Sequence, residues 1–240
     1  MLLPCACAGR VPLQDWSAGE GAPSGSRVLY RVESEDASGS HRFRMAAALS
    51  SPSFVRLEFF GQVGGARLIV ATDGRQVTIL DPVHRTYQQG PDTPDTSERL
   101  LGLSLEGRRL FALLSGLLPC RPADRGDACV DGDLELDGIV LAEDGRPAHL
   151  EWRWRADRSV LAEVDYAPKA NGPGAGWPAD IHLRLPRRGA VIHLTATQGP
   201  EAGPVDQALF APALPDGFTE RPLPAAGAAP ALLGSPAAEP

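Results

Sequence analysis

From Arg27 onward, apolar and polar residues alternate with period two, the pattern of strands that bury one face and show the other to solvent. Val28, Tyr30 and Val32 alternate with Arg27, Arg31 and Glu33; Phe43, Met45, Ala47 and Leu49 alternate with Arg42 and Arg44. Val55, Leu57 and Phe59 follow against Arg56 and Glu58, then Leu68 with Val70, Val77 with Ile79, and a short strand over residues 85–89. Ser50-Ser51-Pro52-Ser53, the loop over residues 61–65 and Thr72-Asp73-Gly74-Arg75 supply the turns, Asp-Gly being suited to positive φ. Strands resume with Leu134, Leu136, Ile139 and Leu141. Leu150, Trp152 and Trp154 then alternate with Glu151, Arg153 and Arg155, the clearest amphipathic strand in the chain. Val160 to Tyr166, Ile181 to Leu185 and Ile192 to Ala196 complete the series, and residues 205–221 hold a final short element. Short turns between successive strands predict an antiparallel meander of about ten or eleven strands, mainly β, with no βαβ unit.

The period changes once. Over residues 98–118, leucines and Phe111 recur at helix-like spacing, and Gly102 and Gly107 divide the run into two short helices. Ser97 and Glu98 are read as the cap and first-turn acid of the first, and Pro119 as the stop. This is the most apolar segment of the chain, and its apolar residues fall on more than one face.

Apolar residues make up 43% and charged residues 22%, ordinary for a folded soluble protein, and no apolar run approaches the roughly 18 residues of a membrane-spanning helix. A formal net charge of -7 argues against a nucleic-acid partner, which needs a basic surface. Residues 225–240 are nearly all Ala, Pro, Gly and Leu, which reads as a disordered tail.

The four cysteines fall into two pairs. Cys120 and Cys129 bracket a polar, turn-rich loop; a disulfide there fits an oxidising compartment, and two free surface thiols are the alternative. Zinc is not expected, since no C-x-x-C or nearby His supplies the other ligands. Cys5 and Cys7 lie in Met-Leu-Leu-Pro-Cys-Ala-Cys-Ala, where Ala6-Cys7 has the form of a bacterial lipoprotein acylation site. A basic start and an apolar stretch of about 7–15 residues are missing before it, so the segment reads as a signal remnant; cysteines without a role are the alternative.

Catalysis needs a nucleophile, a base and an orienting group, or a metal set, and none has a local signature here: no G-x-S-x-G, H-E-x-x-H or P-loop is present. Of the five histidines, His149, His182 and His193 stand opposite the apolar set and are expected to face solvent. Asp131, Asp133, Glu135 and Asp137 lack the Gly and terminal Glu of a calcium loop and read as a solvated strand face. Neither a cofactor nor a metal is expected. Trp152 and Trp154 point to one side of one strand, as core or as contacts for a ligand.

Three stretches carry a resemblance to a known family. Arg56-Leu57-Glu58-Phe59-Phe60-Gly61 followed by Leu68-Ile69-Val70-Ala71-Thr72-Asp73-Gly74 is similar to two strands of the lipoprotein-localisation factors LolA and LolB. Leu100 to Leu105 with Leu113 to Pro119 resembles the helical lid of the LolB branch, and Trp177 to Leu183 with the strand after it resembles that branch's last hairpin. The resemblance covers residues 27–197. It implies a curved, incomplete antiparallel β-barrel whose concave face is covered by a short helical lid. It further implies a non-catalytic receptor or carrier of lipoprotein acyl chains in the bacterial periplasm. An acylated Cys7 or Cys5 would anchor such a protein to the outer membrane, with a periplasmic carrier as partner and a monomeric state. Residues 1–26 would then be signal remnant and linker, 27–221 the half-barrel domain and 222–240 the tail.

On that reading Phe43, Met45, Leu57, Phe59, Leu68, Val70, Trp152 and Trp154 line the sheet side of an apolar cavity. Leu101, Leu105, Phe111 and Leu114 line the lid, and Val63 is the membrane-insertion candidate on the early loop. The Cys120–Cys129 loop and the segment beyond Pro204 depart from the LolB pattern. A structural envelope lipoprotein whose interior is filled by its own side chains is the alternative, and a cavity hydrolase a more distant one.

Overall fold

The computed structural model describes residues 24–61, 64–118, 129–131, 133–143, 145–168 and 177–225. Each alternating stretch becomes a strand: β1 (Ser24–Asp36), β2 (Gly39–Ser50), β3 (Phe54–Phe60), β4 (Ala66–Thr72), β5 (Gln76–Asp81) and β6 (Thr86–Pro91) form the first half. Helices α1 (Pro94–Leu101) and α2 (Gly107–Ser115) follow. Then come β7 (Cys129–Asp131), β8 (Leu134–Leu141), β9 (Pro147–Trp154), β10 (Val160–Pro168), β11 (Pro178–Leu185), β12 (Ala190–Pro204) and β13 (Thr219–Glu220).

The strands make one sheet, in the order β13-β6-β5-β4-β3-β2-β1-β12-β11-β10-β9-β8-β7. β1 pairs with β2 on one side and β12 on the other, which joins the two halves of the meander. The end strands do not pair with each other, so the curved sheet stays open. All pairings are antiparallel except the two-residue β13, which runs parallel to β6. The meander read from the sequence is therefore present, lengthened by β7, with the final short element docked as β13.

α1 starts earlier than the leucine spacing suggested. Thr93, with extended backbone, accepts from the Thr96 N–H, and Pro94 takes the first helical position, where its fixed φ and missing donor cost nothing. Gly102 ends α1 and Gly116 ends α2, each with a positive φ (73° and 62°) that glycine adopts without strain. α2 thus stops before Leu117, short of Pro119, which lies outside the described residues.

Both helices lie over the concave face of the sheet. Tyr30, Met45, Leu57, Val70, Trp152 and Val164, from strands across both halves, form one buried cluster with Leu101, Leu105 and Leu114 of the helical segment. In β8 the alternation slips because Gly138 takes a positive φ of 58° at a register shift, which keeps Ile139 against the core.

The outer face is not uniformly solvated. Leu29, Ala46 and Ala48 form a second buried cluster with Val205 and Phe210, flanked by Phe54, Phe60 and Leu209. Arg56 and Glu58, expected to face solvent, are 8% and 3% exposed. The segment after β12 folds back over them: Arg56 donates to the Leu209 carbonyl at 2.9 Å and to Glu58 at 2.8 Å. A buried charge pair is tolerable there because the carboxylate and a backbone carbonyl satisfy the guanidinium.

Candidate functional site

The concave face follows from the pleat: residues two apart share a side, so Phe43 and Met45, Leu57 and Phe59, Leu68 and Val70, and Trp152 and Trp154 all face the helices. Register aligns them across strands, Met45 opposite Phe59 and Phe59 opposite Leu68. The Phe43 and Phe59 rings meet at 5.8 Å. All twelve residues expected to line the apolar site fall in, or pack against, this one cluster.

Their burial differs. Met45, Leu57, Val70, Leu101, Leu105, Leu114 and Trp152 are buried, whereas Phe43, Phe59, Leu68, Phe111 and Trp154 are only partly so. The first group is closed upon by its own chain, and a ligand reaching it has to part helix from sheet. Val63, Cys5, Cys7 and Cys120 lie outside the described residues, as does the side chain of Cys129.

The helical cover is held by a small set of polar contacts, none of them read from the sequence. At its start the Asp92 carboxylate accepts from the Gly107 N–H at 3.0 and 3.1 Å and from Thr72 Oγ1 at 2.8 Å. Burial pushes the Asp92 pKa up, against the lowering effect of the Gly107 and Thr72 hydrogen bonds. Gly107 has to be glycine at this approach, since a Cβ would stand 2.6 Å from the Ser53 carbonyl oxygen and 2.7 Å from Asp92 Oδ2.

Between the helices, Ser104 Oγ donates to Glu98 at 2.6 Å, and Glu98 also meets Arg188 from the far half of the sheet. At the end of α2, Tyr30 Oη donates to the Leu114 carbonyl at 3.4 Å and Tyr166 Oη to the Leu113 carbonyl at 3.1 Å. Burial raises both phenol pKa values well above the usual tyrosine range, so both remain donors at any physiological pH. Trp177 Nε1 in turn donates to Tyr30 Oη at 3.3 Å. Tyr30 and Tyr166 sit in apolar slots of the alternation, which marks them as core; their role in holding a helix end depends on contacts distant in sequence.

Inside this cover lies a buried cation. Arg109 of α2 is 3% exposed, pairs with Glu106 at 2.8 Å, and places its guanidinium 5.8 Å from the Trp152 ring centre.

The outer face of the second half is charged and self-paired. Glu135 and Asp137 of the carboxylate ladder meet Arg158. His149, Asp165, His182 and His193 run in register across four strands, with His149 Nδ1 2.7 Å from Asp165 and His193 Nε2 3.2 Å from Asp180. These side chains are partly exposed on the side away from the helices, as the alternation implied.

No protein-family model matches the sequence, and no curated protein matches it. Among solved structures, the chain is similar to a DUF1329 family protein from Desulfovibrio piger, at 8% identity and TM-score 0.51, over 80% of this chain and 90% of that one. It is also similar to a LolA superfamily protein from Nitrosomonas europaea, at 12% identity and TM-score 0.49, over 72% and 84% of the two chains. A domain from Vibrio parahaemolyticus described as outer membrane lipoprotein-sorting is similar at 11% identity and TM-score 0.49, over 75% and 85%. At 8% identity the likeness to the Desulfovibrio piger protein is one of fold alone, and the open, curved antiparallel sheet with two helices is the architecture that the resemblance to LolA and LolB implied.

Proposed function

We propose that this chain binds the acyl chains of lipoproteins or lipids between its helical cover and the concave sheet, without catalysing a reaction on them. The supporting observation is a continuous apolar concave face, on an open sheet, closed by two short helices fixed mainly at their ends. Each CH₂ moved from water into such a space contributes about 0.8 kcal/mol. A dozen of them would offset the roughly 1–3 kcal/mol of each hydrogen bond given up when the cover lifts. The partly buried Phe43, Phe59, Leu68, Phe111 and Trp154 are the residues a chain would meet first.

The setting that goes with this reading is the bacterial envelope: a periplasmic carrier or receptor, monomeric, lipid-anchored to the outer membrane through Cys7 or Cys5, with Cys120 and Cys129 paired. Val63 would be its insertion residue, and a periplasmic carrier its partner.

A structural role is the second reading. The burial of Leu101, Leu105, Leu114 and Trp152 by the chain itself favours it, because a cover already packed on the sheet needs no ligand. Titration with an acylated cysteine peptide and its unacylated twin, followed by Trp fluorescence, separates the two. A saturable change with the acylated peptide alone is expected; silence with both peptides overturns the binding reading in favour of the structural one.

A further inference from the structure

We infer that the concave face also carries a hydrogen-bonding site for a neutral carbonyl, the ester group of an acylated ligand, formed by the indole N–H groups of Trp152 and Trp154. This rests on the reading that acyl chains enter between helices and sheet. The other aromatic donors under the cover are all matched: Trp177 donates to Tyr30, Tyr30 to Leu114, and Tyr166 to Leu113. Nε1 of Trp152 and Nε1 of Trp154 are the exceptions, both buried and without an acceptor among the described residues.

An indole N–H can only donate, and buried donors in folded proteins almost always find an acceptor. Two unmatched donors on the same side of β9, two residues apart, therefore define what is missing there, an oxygen with free lone pairs. Trp152 is 1% exposed and surrounded by the apolar cluster, so the group bearing that oxygen has to arrive on an apolar body.

Charge decides between an ester and a carboxylate. The Arg109 guanidinium lies over Trp152, but the Glu106 carboxylate at 2.8 Å already balances it. Where that guanidinium is already paired, burying a carboxylate beside it would leave a large part of the desolvation cost unmet, whereas an ester carbonyl carries no charge and its oxygen accepts from an indole N–H. The ligand is thus an ester-linked acyl compound, as in a glyceride or a diacylglyceryl group.

The test uses the full chain labelled with ¹⁵N and three monomeric probes of equal chain length: dioctanoylglycerol, its dioctyl ether analogue and octanoate. The diester should bind roughly tenfold more tightly than the diether, the worth of two hydrogen bonds between uncharged groups. It should also move the indole N–H signals of Trp152 and Trp154 downfield while that of Trp177 stays. Trp154→Phe should weaken the diester by about threefold and leave the diether unchanged.

Equal affinity for diester and diether with unmoved Trp152 and Trp154 signals overturns the ester site and leaves acyl-chain binding intact. Equal weakening of both probes by Trp154→Phe also overturns it, since it reduces the indole to packing. Octanoate binding above the diester overturns the neutral-acceptor argument. Failure of all three probes to bind overturns the acyl-binding reading itself, and the ester site with it.

Discussion

Asp92 shows how much of the cover depends on one side chain. Its carboxylate receives the first free N–H of α2 and the Thr72 hydroxyl, yet it is partly buried, and desolvation holds its pKa above the usual carboxylate range. An acid with a raised folded-state pKa binds its proton more tightly folded than unfolded. Its stabilising contribution is therefore complete below the ordinary carboxylate range and is lost as pH rises through the raised value. Asp92→Asn removes that dependence and keeps an acceptor for Gly107. The melting-temperature advantage of the natural chain over this variant should grow on acidification from neutral pH; an advantage independent of pH would mean the carboxylate does not titrate differently in the folded state. The Asp92–Gly107 contact could not be found from the sequence, which marked Gly107 only as a break between two helices, because what makes it matter is a meeting of a strand end, a loop and a helix start. Phe43, Leu57 and Trp152 were legible for the opposite reason: in a strand, the neighbours two residues away already assign the face. Arg56 and Glu58 mislead by the same rule, since alternation gives the side but not what covers it. The unbroken apolar run from Met45 to Leu49 was the available sign that this part of the sheet is buried on both faces.

Among elements, α2 is the one whose position decides access to the concave face. Its apolar residues were plain in the leucine spacing, whereas its ends were set by Gly107 and Gly116 and by partners from strands on both halves of the sheet. The last carbonyls of a helix lack intrahelical donors; here the Tyr30 hydroxyl donates to that of Leu114, and the Tyr166 hydroxyl joins the Gly116 N–H on that of Leu113. Phenylalanine at both positions keeps the rings in the core and deletes the two hydroxyls. It also leaves Trp177 Nε1 without its acceptor. The double variant Tyr30→Phe, Tyr166→Phe should lose about 1–3 kcal/mol, localised at the cover. Hydrogen exchange should show α2 amides opening roughly tenfold or more faster, with the amides of β2 and β3 unchanged. Uniform acceleration across sheet and helix would mean that α2 is an integral part of the core and does not move separately.

For the whole molecule, the chain beyond β12 is what makes a single open sheet sustainable. An open sheet has two faces and two edges to protect, and the helices cover only one face. The segment after Pro204 crosses behind the sheet, where Val205 and Phe210 complete the outer cluster, and then adds β13 to the β6 edge. It continues to the helical side: Gln88 donates to the Pro222 carbonyl, Arg99 donates to the Pro224 carbonyl at 2.6 Å, and Leu223 packs against the concave core. Without periodicity and rich in proline, this stretch offered only Leu209-Phe210 and Leu214 to Phe218 as signs of docking, and its course around the sheet was not legible. Phe210 is its anchor, buried with its ring 5.4 Å from that of Phe54. Phe210→Ala should cost about 3–5 kcal/mol, the usual loss for emptying a buried aromatic site, measured by denaturant unfolding. Because the cavity would open on the outer face, the variant that still folds should bind the acylated peptide with unchanged affinity. A cost below about 1 kcal/mol would show that the segment is a loosely attached appendage. A full cost accompanied by weakened binding would instead mean that the strap, through Arg99 and Leu223, sets the position of the helices from the other side of the sheet.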